Sequence, residues 1–395
     1  MYYCNFSTKI LRKKREIIRK GRLGEGKRVR DFADMCFFTE TSEERFETLL
    51  PKLYGEPEKT VKDHILLEND GRLKGLILPQ TMIWKAGDRE LLTGHIGTVC
   101  VSPDYRERGA MSRLMKTAVE ELEKAGCVCI VLNGQRQRYE HYGFVPTGGK
   151  IQFVFRPANV KEEQAEGYEL REFTQEDLEE IEKLFCKNVL HMKRKKRDFS
   201  EILRSWSAQP LVLWNKDNKI CGYCTVVSQE KKAAIAELRL TDEKHLKPFL
   251  KCLFKKGFSQ TVINIAPGTE EYAEAESLCE YYNILPCFNI RILQFAPLVE
   301  ALLEQKSRRI RLPLENVKLL IEGYGLLEIT AAEKGVKAWK SEKKEDEADM
   351  KLSYEQAVHL LFSPLSSKRE QLSGQWPPAE NWFPLPLYIE ENDCI

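Results

Sequence analysis

The segment with the clearest chemical potential runs from Gly97 to Ser112, where an apolar stretch is followed by an arginine-rich turn and a helical pattern. A strand predicted to end at Val101 and a helix predicted to begin near Ala110 point several backbone N–H groups into one concavity. Gly109 lacks the Cβ that would keep an anion away from the backbone. The segment therefore predicts an anion site suited to a pyrophosphate. A plain strand-to-helix turn carrying surface arginines is the alternative.

Arg106 and Arg108 would add positive charge at the rim of this site. The run Val99-Cys-Val-Ser-Pro103 followed by Arg106-Glu-Arg-Gly109-Ala resembles the cofactor signature of the GCN5-related N-acetyltransferase (GNAT) superfamily. A second match is Tyr139-Glu-His-Tyr-Gly-Phe, which resembles the closing motif of the same superfamily. Two motifs separated by a helix and a buried strand are more specific than either alone.

The resemblance implies a fold, a co-substrate and a binding site. Met111 departs from the Gly or Ala of the general signature, and this departure is typical of the enhanced-intracellular-survival (Eis) type of acetyltransferase. Acetyl-CoA is the implied co-substrate, without a metal. The implied cofactor-binding residues are Val99, Cys100, Val101, Arg106, Glu107, Arg108, Gly109, Ala110, Met111, Ser112, Gly134 and Gln135.

Acetyl transfer from a thioester to an amine requires a neutral nucleophile, a polarised carbonyl and a proton for the departing thiolate. Tyr139 is the candidate proton donor. Its pKa of about 10, against about 8.5 for a thiol, makes donation uphill by only about 2 kcal/mol. The resemblance assigns Tyr139 the same role. A core tyrosine packed beside Gly143 is the alternative interpretation, and Tyr142 is the less favoured donor.

The general base implied by the resemblance is the free C-terminal carboxylate, which here belongs to Ile395. Such a role would explain the tail rich in Pro and aromatic residues from Trp376 to Tyr388, which we expect to pack against the rest of the chain. The acidic residues that follow would favour a cationic amine or would simply be solvated; they are Glu390, Glu391 and Asp393.

Two histidines near the motifs are alternative bases. His95 precedes the cofactor strand, and His141 lies between Tyr139 and Gly143. A structural histidine is the favoured interpretation for both.

Hydrophobic periodicity predicts the elements that position these residues. Residues 65–82 predict two strands joined by a turn, and residues 91–101 predict the strand that enters the anion site. Helical spacing follows over residues 111–124, and an apolar strand over residues 127–132. Residues 168–240 partly echo this order but lack the glycine-bearing turn, which indicates a second copy without a cofactor site.

The predicted fold class is α/β (α+β), with tandem GNAT folds whose mixed central sheets are flanked by helices. By resemblance to the Eis type, an α+β domain like sterol carrier protein 2 (SCP2) completes the chain. The predicted divisions are an N-terminal extension (1–14), a catalytic GNAT domain (15–158), a degenerate second GNAT domain (168–286) and the SCP2-like domain (287–395).

The composition limits the classes of partner. The 395 residues include 62 Lys and Arg against 60 Asp and Glu, a net charge of +2 that predicts neither a nucleic acid nor a membrane partner. With no apparent export signal, the 12 cysteines predict reduced thiols in a cytoplasmic protein. Cys221 and Cys224 are predicted to face opposite sides of a strand, which argues against a metal or redox pair.

These observations predict an acetyl-CoA-dependent N-acetyltransferase. The acceptor would be a primary amine of an aminoglycoside, a polyamine or a lysine-like substrate, attacking directly in a ternary complex. The resemblance also implies a homo-oligomer. The alternative is a catalytically silent CoA-binding or lipid-binding protein that keeps the fold.

Overall fold

The computed structural model describes residues 16–161, 166–265, 269, 271–343, 345–376 and 379–395. The predicted N-terminal extension, residues 1–14, lies outside them. The described residues form three sheets of mixed strand direction flanked by helices, which confirms the predicted fold class.

The first sheet has the strand order β1-β2-β3-β4-β5-β15-β6, with β9 paired to the far end of β3. Its strands are β1 (Glu16–Lys20), β2 (Ile65–Asn69), β3 (Arg72–Ala86), β4 (Arg89–Val101), β5 (Cys129–Leu132), β6 (Val145–Thr147), β9 (Leu190–Met192) and β15 (Phe288–Ile292). β4 and β5 are parallel, and their pairing stops at His95 and Val131. The two strands therefore separate just before the predicted cofactor segment.

The second sheet repeats this plan with the order β8-β10-β11-β12-β13-β7-β14. Its strands are β7 (Lys150–Phe155), β8 (Tyr168–Glu172), β10 (Gln209–Asn215), β11 (Ile220–Gln229), β12 (Lys232–Leu240), β13 (Gln260–Ile265) and β14 (Tyr281–Leu285). The parallel pair β12 and β13 corresponds to β4 and β5. The internal repeat noticed in the sequence is thus a repeat of topology.

The two sheets exchange one strand each. β7 lies in the predicted first domain but pairs with β13 and β14 of the second sheet. β15 lies in the predicted third domain but pairs between β5 and β6 of the first sheet. Sheet membership therefore crosses the predicted boundaries at these two strands, and the boundaries themselves stay a prediction.

The third sheet has the order β18-β17-β16-β19 and comprises β16 (Glu315–Ile321), β17 (Gly325–Ala332), β18 (Gly335–Ser341) and β19 (Met350–Leu352). The helices are α1 (Gly26–Phe37), α2 (Phe46–Leu49), α3 (Pro51–Tyr54), α4 (Ala110–Lys124), α5 (Arg136–Tyr139), α6 (Leu178–Cys186), α7 (Phe199–Leu203), α8 (Leu246–Lys255), α9 (Glu271–Leu278), α10 (Phe295–Ser307), α11 (Tyr354–Phe362), α12 (Ser367–Gln375) and α13 (Ala379–Trp382). One hydrophobic cluster joins the third sheet to β4, β5 and β15.

The aromatic tail packs as expected. Trp382 and Phe383 are fully buried in the cluster that joins the first and third sheets, and Trp376 packs against it. Leu387 and Ile389 continue the burial toward the terminus. The tail is therefore a buried segment that ends beside the first sheet.

Candidate functional site

A cavity of about 600 Å³ opens where β4 ends and α4 begins. Nine of the predicted cofactor-binding residues line it: Val99, Cys100, Val101, Arg106, Glu107, Gly109, Ala110, Met111 and Ser112. Cys36 and Phe37 of α1, Tyr105 and Arg138 complete the wall. The sequence prediction thus converges on one cavity, although Arg108, Gly134 and Gln135 do not line it.

The predicted anion site depends on the local backbone geometry where α4 begins. Gly109 is the N-cap of α4 and adopts a left-handed conformation, with φ of 68°. No side chain caps the helix there, so the first N–H groups of α4 lack a side-chain partner. In the second repeat, by contrast, the side chain of Asp242 accepts a hydrogen bond from the Lys244 N–H at the corresponding turn, at 3.0 Å. A capping carboxylate would repel a phosphate.

The two predicted rim arginines differ in position. Arg106 lines the cavity. The Arg108 guanidinium instead lies 5.0 Å from the centre of the Tyr105 ring, and its backbone carbonyl accepts a hydrogen bond from Arg113 at 2.9 Å. Arg108 therefore supports the turn from outside.

β4 is distorted beside the cavity, a feature that sequence reasoning missed. The pairing with β3 passes from Cys100 to Gly97 and leaves Thr98 and Val99 outside the ladder. Thr98 has φ of 48°, which is uncommon for a residue with a branched side chain. The Tyr54 hydroxyl donates to Thr98 Oγ1 at 2.8 Å and holds this bulge from α3. The backbone at Val99 is thereby left free of sheet pairing at the cavity wall.

Tyr139 lies next to the cavity wall and is buried. The ring packs edge-on against Phe144, with centroids 6.5 Å apart, and is 5% exposed. Burial raises the pKa of Tyr139. Its neighbour Arg138 lines the cavity, but Tyr139 itself does not. These surroundings are compatible with both the proton donor and the core tyrosine.

Tyr142, the less favoured donor, is tied to the helix of the anion site. Its hydroxyl lies 2.9 Å from Ser112 Oγ. His141 stacks beside Tyr142 with ring centroids 3.9 Å apart and is exposed. His95 is fully buried, and burial lowers its pKa to about 3, so it is neutral at physiological pH.

The chain terminus lies against β4. A Cβ placed on Gly97 would be 2.5 Å from the terminal carbon of Ile395 and 2.7 Å from its oxygen. The Ile395 side chain packs among Leu53, Tyr54 and Leu78. A small cavity lined by Ile395, His95 and other residues lies where β4 and β5 separate. Ile395 is thus at the sheet split, next to the bulge at Thr98.

Buried polar contacts with Lys52 and with α7 hold the segment before Ile395. Lys52 Nζ donates to the backbone carbonyls of Asn392 and Cys394, at 2.5 and 2.6 Å. Burial lowers the pKa of Lys52 to about 8. The Asn392 side chain donates to the carbonyl of Ile202 at 3.0 Å. No local signal in the sequence marks these partners, because Lys52 and the tail are separated by most of the chain.

Charged partners from the second repeat complete the anchorage. Arg194 Nε donates to Asp393 Oδ1 at 2.8 Å, and Arg194 Nη2 donates to Glu237 Oε2 at 2.5 Å. Arg239 pairs with Glu390. The expectation that Glu390 and Asp393 are solvated was therefore wrong, while attraction of an amine by these residues stays a prediction. Both are buried and anchor the tail, since arginines from β12 and the segment after β9 converge on them.

The pair Cys221 and Cys224 also differs from the prediction. Both side chains belong to one buried cluster on the α8 side of the second sheet, because the register of β11 against β10 shifts at Cys221. Neither is bonded to another cysteine. Within the described residues, no three His, Cys, Asp or Glu side chains are placed to hold a metal ion.

Comparisons with known proteins identify the class of the first repeat. Residues 18–147 match the family model described as an acetyltransferase (GNAT) domain. No curated protein matches the chain. The first repeat is therefore similar to a GNAT acetyltransferase domain over a stretch that includes β4, the turn at Gly109 and Tyr139.

Solved structures extend the likeness over the whole length. A probable N-acyltransferase from Enterococcus faecalis V583 has a TM-score of 0.68 at 16% identity, covering 95% of this chain and 99% of its own. A GCN5-related N-acetyltransferase from Kribbella flavida has a TM-score of 0.68 at 14% identity, covering 97% and 99%. Eis1 from Mycobacterium abscessus has a TM-score of 0.63 at 11% identity, covering 96% and 100%. At these identities the likeness establishes the fold alone.

Proposed function

We propose that this protein is an N-acetyltransferase that transfers the acetyl group of acetyl-CoA to a primary amine in a ternary complex. The observation that carries the proposal is the approach of the Ile395 carboxylate to Gly97, beside the uncapped N-terminus of α4. The proposed base then lies beside β4, and the proposed pyrophosphate site lies where β4 leads into α4. Tandem GNAT folds in which only the first retains the site fit this arrangement.

The cavity suits acetyl-CoA in charge and shape. The N–H groups at the start of α4 and the Arg106 side chain would hold the pyrophosphate, because both offer donors to an anion. The backbone at Val99, free of sheet pairing, would hold the pantetheine amide and the thioester carbonyl. Each of these groups belongs to this chain and requires no metal.

The proposed reaction moves two protons. The amine nitrogen attacks the thioester carbonyl carbon, a C–N bond forms and the C–S bond breaks. The Ile395 carboxylate takes the proton from the amine, and the Tyr139 hydroxyl gives its proton to the departing thiolate. Because burial raises the pKa of Tyr139, the residue stays protonated until the thiolate develops.

The acceptor class stays a proposal among lysine-like amines, polyamines and aminoglycosides. A cleft of about 770 Å³ opens beside the tail anchors, lined by Lys52, Asp393 and Met82. Its wall also carries Lys193, Lys195, Arg197 and Asp198. Bound here, a compact amine would meet less repulsion than a polycation. We therefore rank a lysine-like acceptor first.

Acetyl-CoA turnover tests the proposal. The wild type, Tyr139→Phe, Tyr142→Phe and a chain extended by several residues beyond Ile395 would be assayed with each amine class. We expect Tyr139→Phe and the extended chain to lose about 10²–10⁴-fold in kcat while still binding acetyl-CoA, as is typical of lost acid–base groups. Tyr142→Phe is the matched control. Undiminished turnover by the extended chain would remove Ile395 from the mechanism.

One observation favours a second candidate, a lipid-binding protein with a silent acetyltransferase fold. An apolar cavity of about 290 Å³ lies between α10 and the tail, lined by Phe362, Leu385 and Leu387. Lys306 lies at its wall and donates to the Pro384 carbonyl at 3.0 Å. The SCP2-like identity of this region is part of the same proposal. Cofactor binding without consumption of any amine would favour it.

Assembly and location also stay proposals. β14 is an edge strand whose five residues are all exposed, including Tyr281, Tyr282 and Ile284. An apolar free edge of this kind supports a homo-oligomer. Among the described residues, no helix is long and apolar enough to cross a bilayer. We propose a cytoplasmic location from the sequence considerations alone.

A further inference from the structure

Two cysteines lie together in the wall of the proposed acetyl-CoA cavity. Cys36 is in the last turn of α1, and Cys100 is near the end of β4. Both line the cavity, and Cys36 packs against the apolar cluster that contains Cys100. Both thiols are free. The catalytic proposal uses neither thiol, since Cys100 would serve it through the backbone.

The two thiols have unequal reactivity. The neighbouring Cys100 thiol lowers the pKa of Cys36, and the nearby Arg106 guanidinium lowers it further. Burial and the neighbouring Cys36 thiol raise the pKa of Cys100. Cys36 is partly exposed to the cavity, whereas Cys100 is buried. Cys36 therefore has the greater thiolate character and the open approach, and Cys100 is the resolving thiol behind it.

Other cysteines lack this combination. Cys129 and Cys224 are buried in sheets, and burial raises the pKa of each. Cys186 is exposed but is not bonded to another cysteine. Cys287 is partly exposed and lies near Cys394, but burial raises the pKa of the Cys287 thiol and so disfavours its thiolate.

We propose that Cys36 and Cys100 form a reversible redox modification site that controls access of acyl-CoA to its cavity. The oxidant is a peroxide. The Cys36 thiolate attacks one peroxide oxygen, the O–O bond breaks, and Cys36 becomes a sulfenic acid while hydroxide or alkoxide leaves. The Cys100 thiol then attacks the Cys36 sulfur, an S–S bond forms and water leaves. A dithiol reductant restores both thiols.

The disulfide would close the cavity by its position. It would join α1 covalently to β4 across the wall along which the pantetheine arm is proposed to lie. Conversely, a bound acyl-CoA would cover Cys36 and shield it from peroxide. The inference rests on the proposed function only in placing acyl-CoA in this cavity, because formation of the disulfide requires no acetyl transfer.

The test treats the full chain with hydrogen peroxide and measures three quantities. Intact mass after alkylation of remaining thiols reports the disulfide, peptide mapping locates it, and calorimetry with CoA reports binding. We expect a Cys36–Cys100 disulfide, affinity for CoA lowered by about tenfold or more, and recovery of both after dithiothreitol. Saturating acetyl-CoA, which has no free thiol to consume peroxide, should slow the oxidation when it is added before peroxide.

Matched variants keep the test falsifiable. For each variant, the CoA affinity after peroxide is compared with that of its own untreated sample. A change in basal affinity caused by the substitution therefore does not affect the result. Cys36→Ser and Cys100→Ser should lose the peroxide effect on CoA binding, whereas Cys186→Ser should keep it. Absence of the Cys36–Cys100 disulfide in wild type, or its presence with unchanged CoA affinity, would overturn the proposal. Failure of the proposed acetyl transfer would instead appear as unchanged amines with CoA binding and its redox control intact.

Discussion

Gly97 is the residue at which the proposed catalytic strand and the chain terminus meet. It belongs to a ladder pair with Leu78, immediately before the bulge at Thr98. The approach of Ile395 needs a residue without a Cβ, because any side chain would occupy the position of the terminal carboxylate. The glycine is thus required by contact and not by an unusual φ.

Replacing Gly97 by alanine tests this contact. We expect Gly97→Ala to displace the carboxylate and lower kcat by about 10²-fold or more, the effect expected for a misplaced general base, while acetyl-CoA binding persists. Gly374→Ala is the matched control, since a Cβ there would meet no atom within 4 Å. Steady-state kinetics and cofactor titration separate the two effects. Wild-type kcat in Gly97→Ala would contradict a catalytic role for the terminus.

At the scale of elements, the tail is held by charges that come from both repeats. Arg194 follows β9, and its side chain is only 1% exposed. The guanidinium bridges Glu237 of β12 and Asp393 of the tail, and lies 3.8 Å from the centre of the Phe185 ring. Because each carboxylate is buried, neither has water as an alternative partner. The second repeat thus supplies the arginine that holds the tail beside the first sheet.

Removing this bridge should affect stability and activity together. We expect Arg194→Met to lower the free energy of unfolding by about 3–5 kcal/mol, since it leaves two buried carboxylates unpaired. Any folded fraction should show reduced kcat with retained acetyl-CoA binding. Arg197→Met, in which the lost side chain is 72% exposed, is the control for the stability measurement. Asp393→Asn keeps a hydrogen-bonding side chain, so a smaller loss in the same direction is expected. Equal stability of Arg194→Met and wild type in urea titrations would disprove the anchoring role.

On the scale of the whole molecule, the exchange of β7 and β15 makes the sheets interdependent. One hydrophobic cluster runs from β4 and β5 through β15 to the third sheet. Two histidines are buried inside the first repeat. His64 and His95 are each 1% exposed, and burial lowers their pKa to about 4 and about 3. Both stay neutral in the folded chain at physiological pH.

This burial predicts acid sensitivity of the folded state. Between the folded pKa and the ordinary value of 6.5, the unfolded chain binds protons that the folded chain does not. The contribution of each histidine to the free energy of unfolding should therefore fall as the pH drops below 6.5, by about 2 kcal/mol at about pH 5. Urea titrations at about pH 7.5 and about pH 5 measure the loss. His64→Gln and His95→Gln should each reduce this loss of unfolding free energy by the contribution of one histidine. His141→Gln, at an exposed position, should show the same loss as the wild type. An unchanged dependence in both buried-site variants would refute this assignment.

Much of the local structure could be predicted from the sequence. The hairpin of β2 and β3, the buried strand β5 and the amphipathic helix α4 follow from hydrophobic periodicity and turn residues. Ser353 caps α11 through a hydrogen bond from the Gln356 N–H, as its position before the helix indicated. The cofactor motif was also accessible, because an anion site at a strand-to-helix turn is built from neighbouring residues. These features depend on contacts within a few residues along the chain.

The partners of distant segments were decided by the tertiary structure alone. The sequence by itself determined two topological repeats, one with an open anion site, and an aromatic tail that must be buried. It did not determine the exchange of β7 and β15, because an apolar strand pattern does not specify its neighbours. Nor did it reveal that Glu390 and Asp393 are buried. The residue type alone does not show whether a carboxylate is exposed to solvent or paired with a buried arginine from a distant part of the chain. Only folding brings Lys52, Arg194 and the tail together, and their contacts place the Ile395 carboxylate beside Gly97.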